Sequence, residues 1–209
     1  NDLLLDPFIR PNALASDVKV EDIPADYLLI SHGHEDHLAD AEEIGKRTGA
    51  MIISNYEIVS WYANKGLSNG HPLNHGGKKA FEFGSVKYVN AVHSSMLPDG
   101  SYGGNPGGFV MEMEGKTLYY AGDTALSMDM QLIGKYQKPD MAILPIGDNF
   151  TMGIEDAVIA ADFVQCDKIV GMHYDSFPPI AIQKEEAKAA FEAAGKELIL
   201  MEIGSSLEF

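Results

Sequence analysis

The chain has little cysteine, few basic residues and no long apolar run. Cys166 is the only cysteine among 209 residues, which excludes an intramolecular disulfide and is compatible with a reducing, cytoplasmic location. No segment reaches the roughly 18 apolar residues that span a bilayer, so no membrane association is expected. Lysine and arginine total 15 against 31 acidic residues, a net charge of −16 that disfavours binding to nucleic acid. These absences leave a small molecule as the expected partner.

The rest of the composition indicates one folded α/β domain over residues 1–209. The hydrophobic fraction is 45%, which is enough for a sizeable core. Short apolar runs alternate with helical patterns, as is typical of layered strands and helices. The predicted strands cover residues 27–30, 51–54, 86–92, 109–113, 117–121, 142–146, 168–172 and 198–202, and the predicted helices cover residues 40–48, 55–65, 154–164 and 183–194. The Gly- and Pro-rich segment 98–108 is predicted to be an irregular loop, and Cys166 to be a core residue.

The densest polar segment is His32-Gly33-His34-Glu35-Asp36-His37. Three imidazoles and a carboxylate so close together suit a borderline metal ion such as zinc. Alternate residues of an extended segment point the same way, so His32 and His34 can reach one metal ion. Asp36 and His37 follow where the chain turns towards the next helix, and they can face a second ion. A polar loop with chance histidines is the alternative explanation, and the density of the segment argues against it.

Three more ligand candidates, His93, Asp123 and His173, each follow a predicted strand. Sites in open α/β sheets gather at the carboxyl ends of the strands. If these strands are neighbours, the three side chains converge with the histidine-rich segment at one rim. The two remaining histidines, His71 and His75, lie in a predicted loop. There, solvation or a backbone hydrogen bond is the more common state.

These motifs resemble the metallo-β-lactamase superfamily, whose signature has the form His-x-His-x-Asp-His. The segments His93-Ser94-Ser95, Ala121-Gly122-Asp123-Thr124 and Met172-His173-Tyr174 are similar to its UPF0173 branch. That branch contains bacterial and archaeal metal-dependent hydrolases related to the ascorbate-6-phosphate lactonases. The resemblance covers nearly the whole chain, from about residue 5 to residue 180.

The resemblance implies a fold and a role for each ligand. The fold is an αββα sandwich, two sheets with helices outside. His32, His34 and His93 would bind the first metal ion, Asp36, His37 and His173 the second, and Asp123 would bridge the two. Family members usually begin with two further strands before an Asp-Pro-Phe segment like the one at residues 6–8. We therefore expect N-terminal strands to be missing here, with a sheet edge exposed as a result.

A centre of this kind supports hydrolysis by activated water. Two divalent ions lower the pKa of water towards about 7 and polarise a carbonyl or phosphoryl oxygen. Asp36 and Asp123 are the predicted catalytic carboxylates, since Asp123 can exchange a proton with the reacting groups. Asn149, Met152 and Tyr174 follow strands that end at the site and are predicted to line the substrate pocket. Family analogy favours a small ester, lactone or phosphorylated metabolite, with zinc ahead of manganese, iron, nickel or cobalt.

Three other functions compete with this hypothesis. A phosphodiesterase or ribonuclease would use the same fold and ions, although the acidic charge argues against an RNA substrate. A di-iron oxidoreductase is a second alternative, but related enzymes tend to carry Glu where this chain has His34, and they have a flavin domain. A non-catalytic metal-binding protein is the third, and it would hold metal without turnover. Acidic hydrolases of this kind often associate, so a homo-oligomer is also considered.

Overall fold

The computed structural model describes residues 1–209 as eleven strands and six α-helices. The strands are β1 Leu3–Leu5, β2 Tyr27–Leu29, β3 Met51–Asn55, β4 Gly70–Leu73, β5 Lys78–Phe81, β6 Gly84–Asn90, β7 Gly107–Met113, β8 Lys116–Tyr120, β9 Met141–Pro145, β10 Lys168–Met172 and β11 Glu197–Ile199. The helices are α1 Glu35–Leu38, α2 Ala41–Thr48, α3 Tyr56–Asn64, α4 Met130–Tyr136, α5 Ile154–Phe163 and α6 Lys184–Ala193. None of these helices is long and apolar enough to cross a bilayer.

The strands form two sheets. The smaller sheet has the order β1-β2-β3-β4, and every neighbouring pair in it is parallel. The larger sheet has the order β11-β10-β9-β8-β7-β6-β5. It is antiparallel from β5 to β8 and parallel from β8 to β11. Strands β2, β8, β9 and β10 are therefore each flanked by a parallel partner, and each ends close to the predicted site.

Three apolar clusters show that the sheets and helices form four layers. Side chains alternate along β2, so that Leu28 and Leu29 belong to different clusters. Leu28 shares its cluster with residues of α2 and α3, such as Ile44 and Ile58. Leu29 shares its cluster with residues of the other sheet, such as Tyr88. The third cluster joins the larger sheet to α4, α5 and α6. The predicted αββα sandwich is thus confirmed.

Capping residues and short apolar runs predicted most of the central strands and helices correctly. Asn55 caps α3, because its side-chain oxygen accepts a hydrogen bond from the backbone N–H of Ile58 at 2.9 Å. Gly49 ends α2 in the left-handed conformation, with φ of 75°. The sequence did not predict β1, β4, β5, α1 or α4. The predicted strand at residues 86–92 ends at Asn90, so His93 lies in the loop beyond it.

Candidate metal centre

The histidine-rich segment leaves the buried end of β2 and enters α1. His32 is completely buried. His34 keeps an extended backbone, with φ of −70° and ψ of 146°, and immediately precedes α1. The single turn of α1 then carries Asp36 and the buried His37. The backbone is extended up to His34 and helical from Glu35, so that four ligand candidates lie within six residues beyond the end of β2.

The larger sheet supplies the other candidates from the loops after β6, β8 and β10. Asp123 Oδ2 lies 3.1 Å from His173 Nε2, 3.3 Å from His37 Nε2 and 3.6 Å from His93 Nε2. Asp36 Oδ2 lies 3.4 Å from His173 Nε2. Carboxylate and imidazole groups from both sheets therefore converge at one rim, and Asp123 lies between them.

Three groups of side chains could each hold a metal ion, of which one combines Asp6 with His32 and His37 and the other two consist only of predicted ligands. His32, His34 and His93 form one group, and Asp36, His37 and His173 form the other. Within each group the donor atoms lie within 4.8 Å of one another, as required around a single ion. The structure thus brings together all seven predicted ligand residues, in the two sets that the resemblance implies, with Asp123 in contact with histidines of both.

The backbone is strained where two residues of this region are presented. His173 has φ of 55° and Asp6 has φ of 40°, although both carry a side chain. The left-handed conformation costs a non-glycine residue about 1–2 kcal/mol. Such strain persists where the surrounding structure enforces it, and it concentrates at functional sites. Its presence at a predicted ligand supports a role for the His173 ring position.

Orphaned polar atoms test whether a metal ion fits these residues. Nε2 of His37, Oδ1 of Asp123 and Nδ1 of His173 are buried without a hydrogen-bond partner. Nδ1 of His37 is 2.9 Å from Asp6, so in the neutral ring the lone pair sits on Nε2 and faces the carboxylate of Asp123. A lone pair facing a carboxylate is repulsive unless a cation lies between them. The donor set therefore fits a bound divalent cation.

The pKa values of these groups show the same need for positive charge. Burial lowers the pKa of His37, but the carboxylates of Asp123 and Asp6 outweigh burial and hold it well above its ordinary value. Burial also lowers the pKa of His173, whereas hydrogen bonds to Asp123 and Asp36 raise it to about 9. Burial raises the pKa of Asp123, but the facing imidazoles, that of His37 foremost, bring it well below its ordinary value. In the metal-free protein, protonated imidazoles therefore provide the positive charge beside these carboxylates that a bound metal cation would otherwise provide.

Asp6 belongs to neither of the two groups of predicted ligands but contacts residues of both, a role that the sequence did not predict. Its carboxylate lies 2.9 Å from Nδ1 of His37 and accepts hydrogen bonds from Tyr120 Oη at 2.8 Å and from Ser31 through both N–H and Oγ. Ser31 Oγ also lies 2.9 Å from Nδ1 of His32. One carboxylate thus fixes a ring from each ligand group, His37 directly and His32 through Ser31. An acid directly after the apolar run 3–5 was the available signal.

The predicted substrate-pocket residues lie in three different places. A cavity of about 290 Å³ borders the predicted ligands, and its other walls are Ser94, Phe150 and Phe177. Met152 is completely buried in the core beneath this cavity wall, and Tyr174 lines a separate cavity with Lys184. Asn149 is exposed and does not line the cavity. The wall that we expected from Met152 and Tyr174 is therefore supplied by Phe150 and Phe177.

The histidines and the cysteine outside the predicted centre have structural surroundings. His75 lies 2.9 Å from the carbonyl oxygen of Pro106 through Nε2, and its ring stacks on Tyr88. His71 lies in β4 and meets the ring of Phe81 edge-on. Cys166 is 2% exposed and belongs to the core cluster of the larger sheet. None of these side chains lines the cavity beside the predicted ligands.

The chain matches known proteins over nearly its full length. A family model described as "Beta-lactamase superfamily domain" matches residues 1–174. A UPF0173 metal-dependent hydrolase of Christiangramia forsetii is 59% identical over 207 residues, which cover 99% of this chain and 91% of the relative. The UPF0173 metal-dependent hydrolase YtkL of Bacillus subtilis is 41% identical over 211 residues, again covering 99% and 91%.

A solved structure extends the same likeness to the fold. Igni18, a metallo hydrolase of the archaeon Ignicoccus hospitalis, has a TM-score of 0.88 and 35% identity to this chain, covering 99% of this chain and 91% of that one. Identity of this extent goes together with a superfamily model that matches most of the chain. The chain therefore belongs to the β-lactamase superfamily, and within it to the UPF0173 metal-dependent hydrolases.

Proposed function

We propose that the chain hydrolyses a small carboxylic ester or lactone at a centre of two divalent metal ions. The observation that carries this proposal is the position of Asp123 between two compact ligand groups. Five of the seven proposed ligands are imidazoles, which favours zinc over magnesium or calcium. When bound, such ions acidify water and polarise a carbonyl oxygen.

The chain's own carboxylates can manage the proton. Burial raises the pKa of Asp36, but a hydrogen bond to His173 and the charge of His37 bring the pKa below its ordinary value. Asp36 and Asp123 are therefore carboxylates at neutral pH, and both border the cavity. Either can accept the proton released when water attacks the carbonyl carbon and return it to the leaving oxygen.

The cavity walls orient the substrate and exclude water. Ser94 Oγ lies 3.2 Å from Nε2 of His34 at the cavity edge, within hydrogen-bond reach of a polar substrate group. Phe150 and Phe177 cover the sides of the cavity, where they limit the entry of solvent. No serine or cysteine nucleophile is needed for this reaction.

A metal-reconstitution assay tests the proposal. Protein stripped by chelation and dialysis is reloaded with zinc and given a panel of simple lactones, carboxylic esters and phosphodiesters. We expect lactone or ester cleavage only after reloading, and none in His34→Ala or Asp123→Asn. His71→Ala is the matched control, because His71 lies in β4 away from the cavity. Cleavage of phosphodiesters alone, or full lactone cleavage by His34→Ala without metal, contradicts the proposal.

A further inference from the structure

The cavity at the predicted metal centre is lined by two phenylalanines and, apart from the histidines among the predicted ligands, by no basic side chain. Beyond the predicted ligands and Ser94, its lining consists of Phe150 and Phe177. Phe150 is 56% exposed and Phe177 is 38% exposed, so both rings present apolar surface beside the predicted ligands. Aromatic side chains are typical linings of small-molecule pockets.

The loop after β9 holds Phe150 in position. Asp148 and Asn149 both take left-handed conformations, with φ of 61° and 54°. The loop is closed by a hydrogen bond from Asp148 N–H to the carbonyl of Met152 at 3.0 Å. Met152 is buried and its N–H donates to the carbonyl of Thr124 at 3.0 Å, next to Asp123. A constrained backbone with a buried anchor therefore carries an exposed ring at its tip.

The loop after β10 presents Phe177 in a comparable way. Asp175 has φ of 63°, and its N–H donates to the carbonyl of Ile180 at 2.9 Å. Its side chain accepts a hydrogen bond from the N–H of Ile182 at 3.1 Å. The ring centroid of Phe177 lies 5.9 Å from that of Phe8, close enough for the two rings to pack together. Each of the two loops therefore contains a left-handed turn and carries one exposed phenylalanine.

The charge around the cavity argues against an anionic substrate group. No lysine or arginine lines this cavity or the adjoining one that shares Phe177. Lys184 pairs with Asp175 at 3.4 Å and lies in a different cavity, beside Tyr174. The chain as a whole carries −16. A phosphate or carboxylate placed away from the predicted ligands would therefore meet no lysine or arginine, and would lack the charge-assisted hydrogen bonds that are about twice as strong as neutral ones.

We propose that Phe150 and Phe177 select an uncharged substrate with an apolar group beside the bond that is cleaved. This proposal rests on the proposed ester or lactone hydrolysis for the reaction that follows binding. The preference in binding itself is attributed to Phe150 and Phe177. An alkyl or aryl substituent would lie between the two rings, while the carbonyl faces the predicted metal ligands. A sugar phosphate lactone is disfavoured by the same walls.

Binding of three hydroxamic acids to the zinc-loaded protein tests this selection without turnover. Their head groups chelate metal ions alike, and their tails are a methyl group (acetohydroxamic acid), a pentyl chain (hexanohydroxamic acid) or a butyl chain ending in a carboxylate (adipic monohydroxamic acid). We expect the pentyl probe to have the lowest Kd by calorimetry, at least about tenfold below the other two. In a Phe150→Ala, Phe177→Ala double variant, we expect the three values to converge within about threefold.

Tyr136→Ala is the matched control, because Tyr136 is an aromatic residue of α4 that is 66% exposed and does not line the cavity. It should keep the tail preference of the unmodified protein. Equal Kd values for all three tails, tighter binding of the carboxylate probe, or no binding of any probe overturns the selection.

Lactone assays on the same preparations separate this proposal from the reaction itself. If the protein prefers the pentyl probe but cleaves no lactone, the proposed hydrolysis is wrong and the proposed preference for apolar groups is retained. If lactones are cleaved at rates independent of their substituent and the probes have equal Kd values, the proposed preference is wrong and the proposed hydrolysis is retained.

Discussion

Asp6 accepts hydrogen bonds from Ser31 and Tyr120 and contacts Nδ1 of His37, so it ties together groups of both sheets. It is buried, at 9% exposed, and lies directly after β1. With its Nδ1 facing this carboxylate, His37 is left with Nε2 for the centre. We therefore expect Asp6 to position the ligands, although it also forms a group of possible metal ligands with His32 and His37.

Replacing Asp6 tests this positioning role. Asp6→Asn keeps the size of the side chain but weakens acceptance from His37 and Ser31. We expect zinc affinity to fall about 10- to 100-fold, measured by competition with a coloured chelator. Tyr120→Phe removes one donor and leaves the Asp6–His37 contact, so its affinity should fall less. Equal affinities for Asp6→Asn and the unmodified protein, with both folded by circular dichroism, would remove the role.

Metal loading should release protons from the imidazoles. The pKa of His173 is raised to about 9 and that of His37 lies well above its ordinary value, so both rings are protonated at neutral pH in the metal-free protein. A metal ion binds only the neutral ring. Zinc affinity should therefore rise as pH increases towards 9 and fall as pH decreases. Calorimetry in buffers of different ionisation enthalpy measures the protons released, and a buffer-independent enthalpy would contradict this coupling.

The seven ligand candidates could be predicted because their chemistry is explicit in the sequence and they follow strands. The pocket walls could not be predicted in the same way. Met152 and Phe150 are two residues apart, and the left-handed turn at Asp148 and Asn149 decides which of them is buried. Asp and Asn adopt this conformation more readily than other non-glycine residues, so the sequence indicated a turn there but not which of the following side chains it would bury.

Among the secondary-structure elements, β8 ends in a closely packed region. The backbone of Gly122 lies against β7 and Ser31 there, and this packing sets the position of Asp123. Gly122 has φ of 62°, and a Cβ there would lie 2.7 Å from the carbonyl oxygen of Gly107 and 2.9 Å from Cβ of Ser31. The first contact is with the backbone of β7, which cannot move away easily. Gly122 therefore allows β8, β7 and the β2 loop to approach one another directly beside the ligand.

Gly122→Ala is expected to disturb both stability and metal binding. The left-handed conformation alone costs alanine about 1–2 kcal/mol, and the backbone clash adds to it. Gly195→Ala is the matched control, because Gly195 has φ of 72° and nothing lies within 4 Å of its ideal Cβ. Urea unfolding should show a larger loss for Gly122→Ala, and only that variant should lose zinc affinity. Equal losses in the two variants would contradict the packing argument.

The sequence predicted the central elements better than the edges. Strands β2, β3 and β10 are short apolar runs, and β10 has the predicted bounds. Strand β4 contains Gly70 and Pro72, which indicated a loop, yet proline is tolerated there because β4 is at the edge of its sheet. Strand β5 is the edge of the other sheet, and its residues are mostly exposed. Both strands therefore lack the apolar pattern that marks the central strands. The edge strand β1 is apolar but only three residues long.

At the scale of the whole molecule, the candidate centre joins the two sheets. His32 and His37 come from the smaller sheet, and His93, Asp123 and His173 come from the larger one. A bound cation would satisfy buried polar atoms that have no other partner. Metal ions should therefore hold the sandwich together in addition to serving the reaction.

Removing the metal should lower thermal stability. A ligand present at about 1,000 times its Kd stabilises by about 4 kcal/mol, which corresponds to roughly 10 °C in Tm for a chain of this size. Differential scanning calorimetry of zinc-loaded and stripped protein measures the shift. The shift should shrink in Asp123→Asn, which weakens contacts to both ligand groups. A Tm that is unaffected by stripping would contradict the structural role.

The number of metal ions bound per chain is the decisive measurement for a two-ion centre. Zinc-loaded protein is freed of loosely bound ions by gel filtration, and its zinc and protein contents are measured alongside lactone hydrolysis. Because Asp123 contacts histidines of both groups, we expect about two ions per chain in the active protein and a clear decrease, with loss of hydrolysis, in Asp123→Asn. Full hydrolytic activity with one ion per chain or fewer would contradict a two-ion centre.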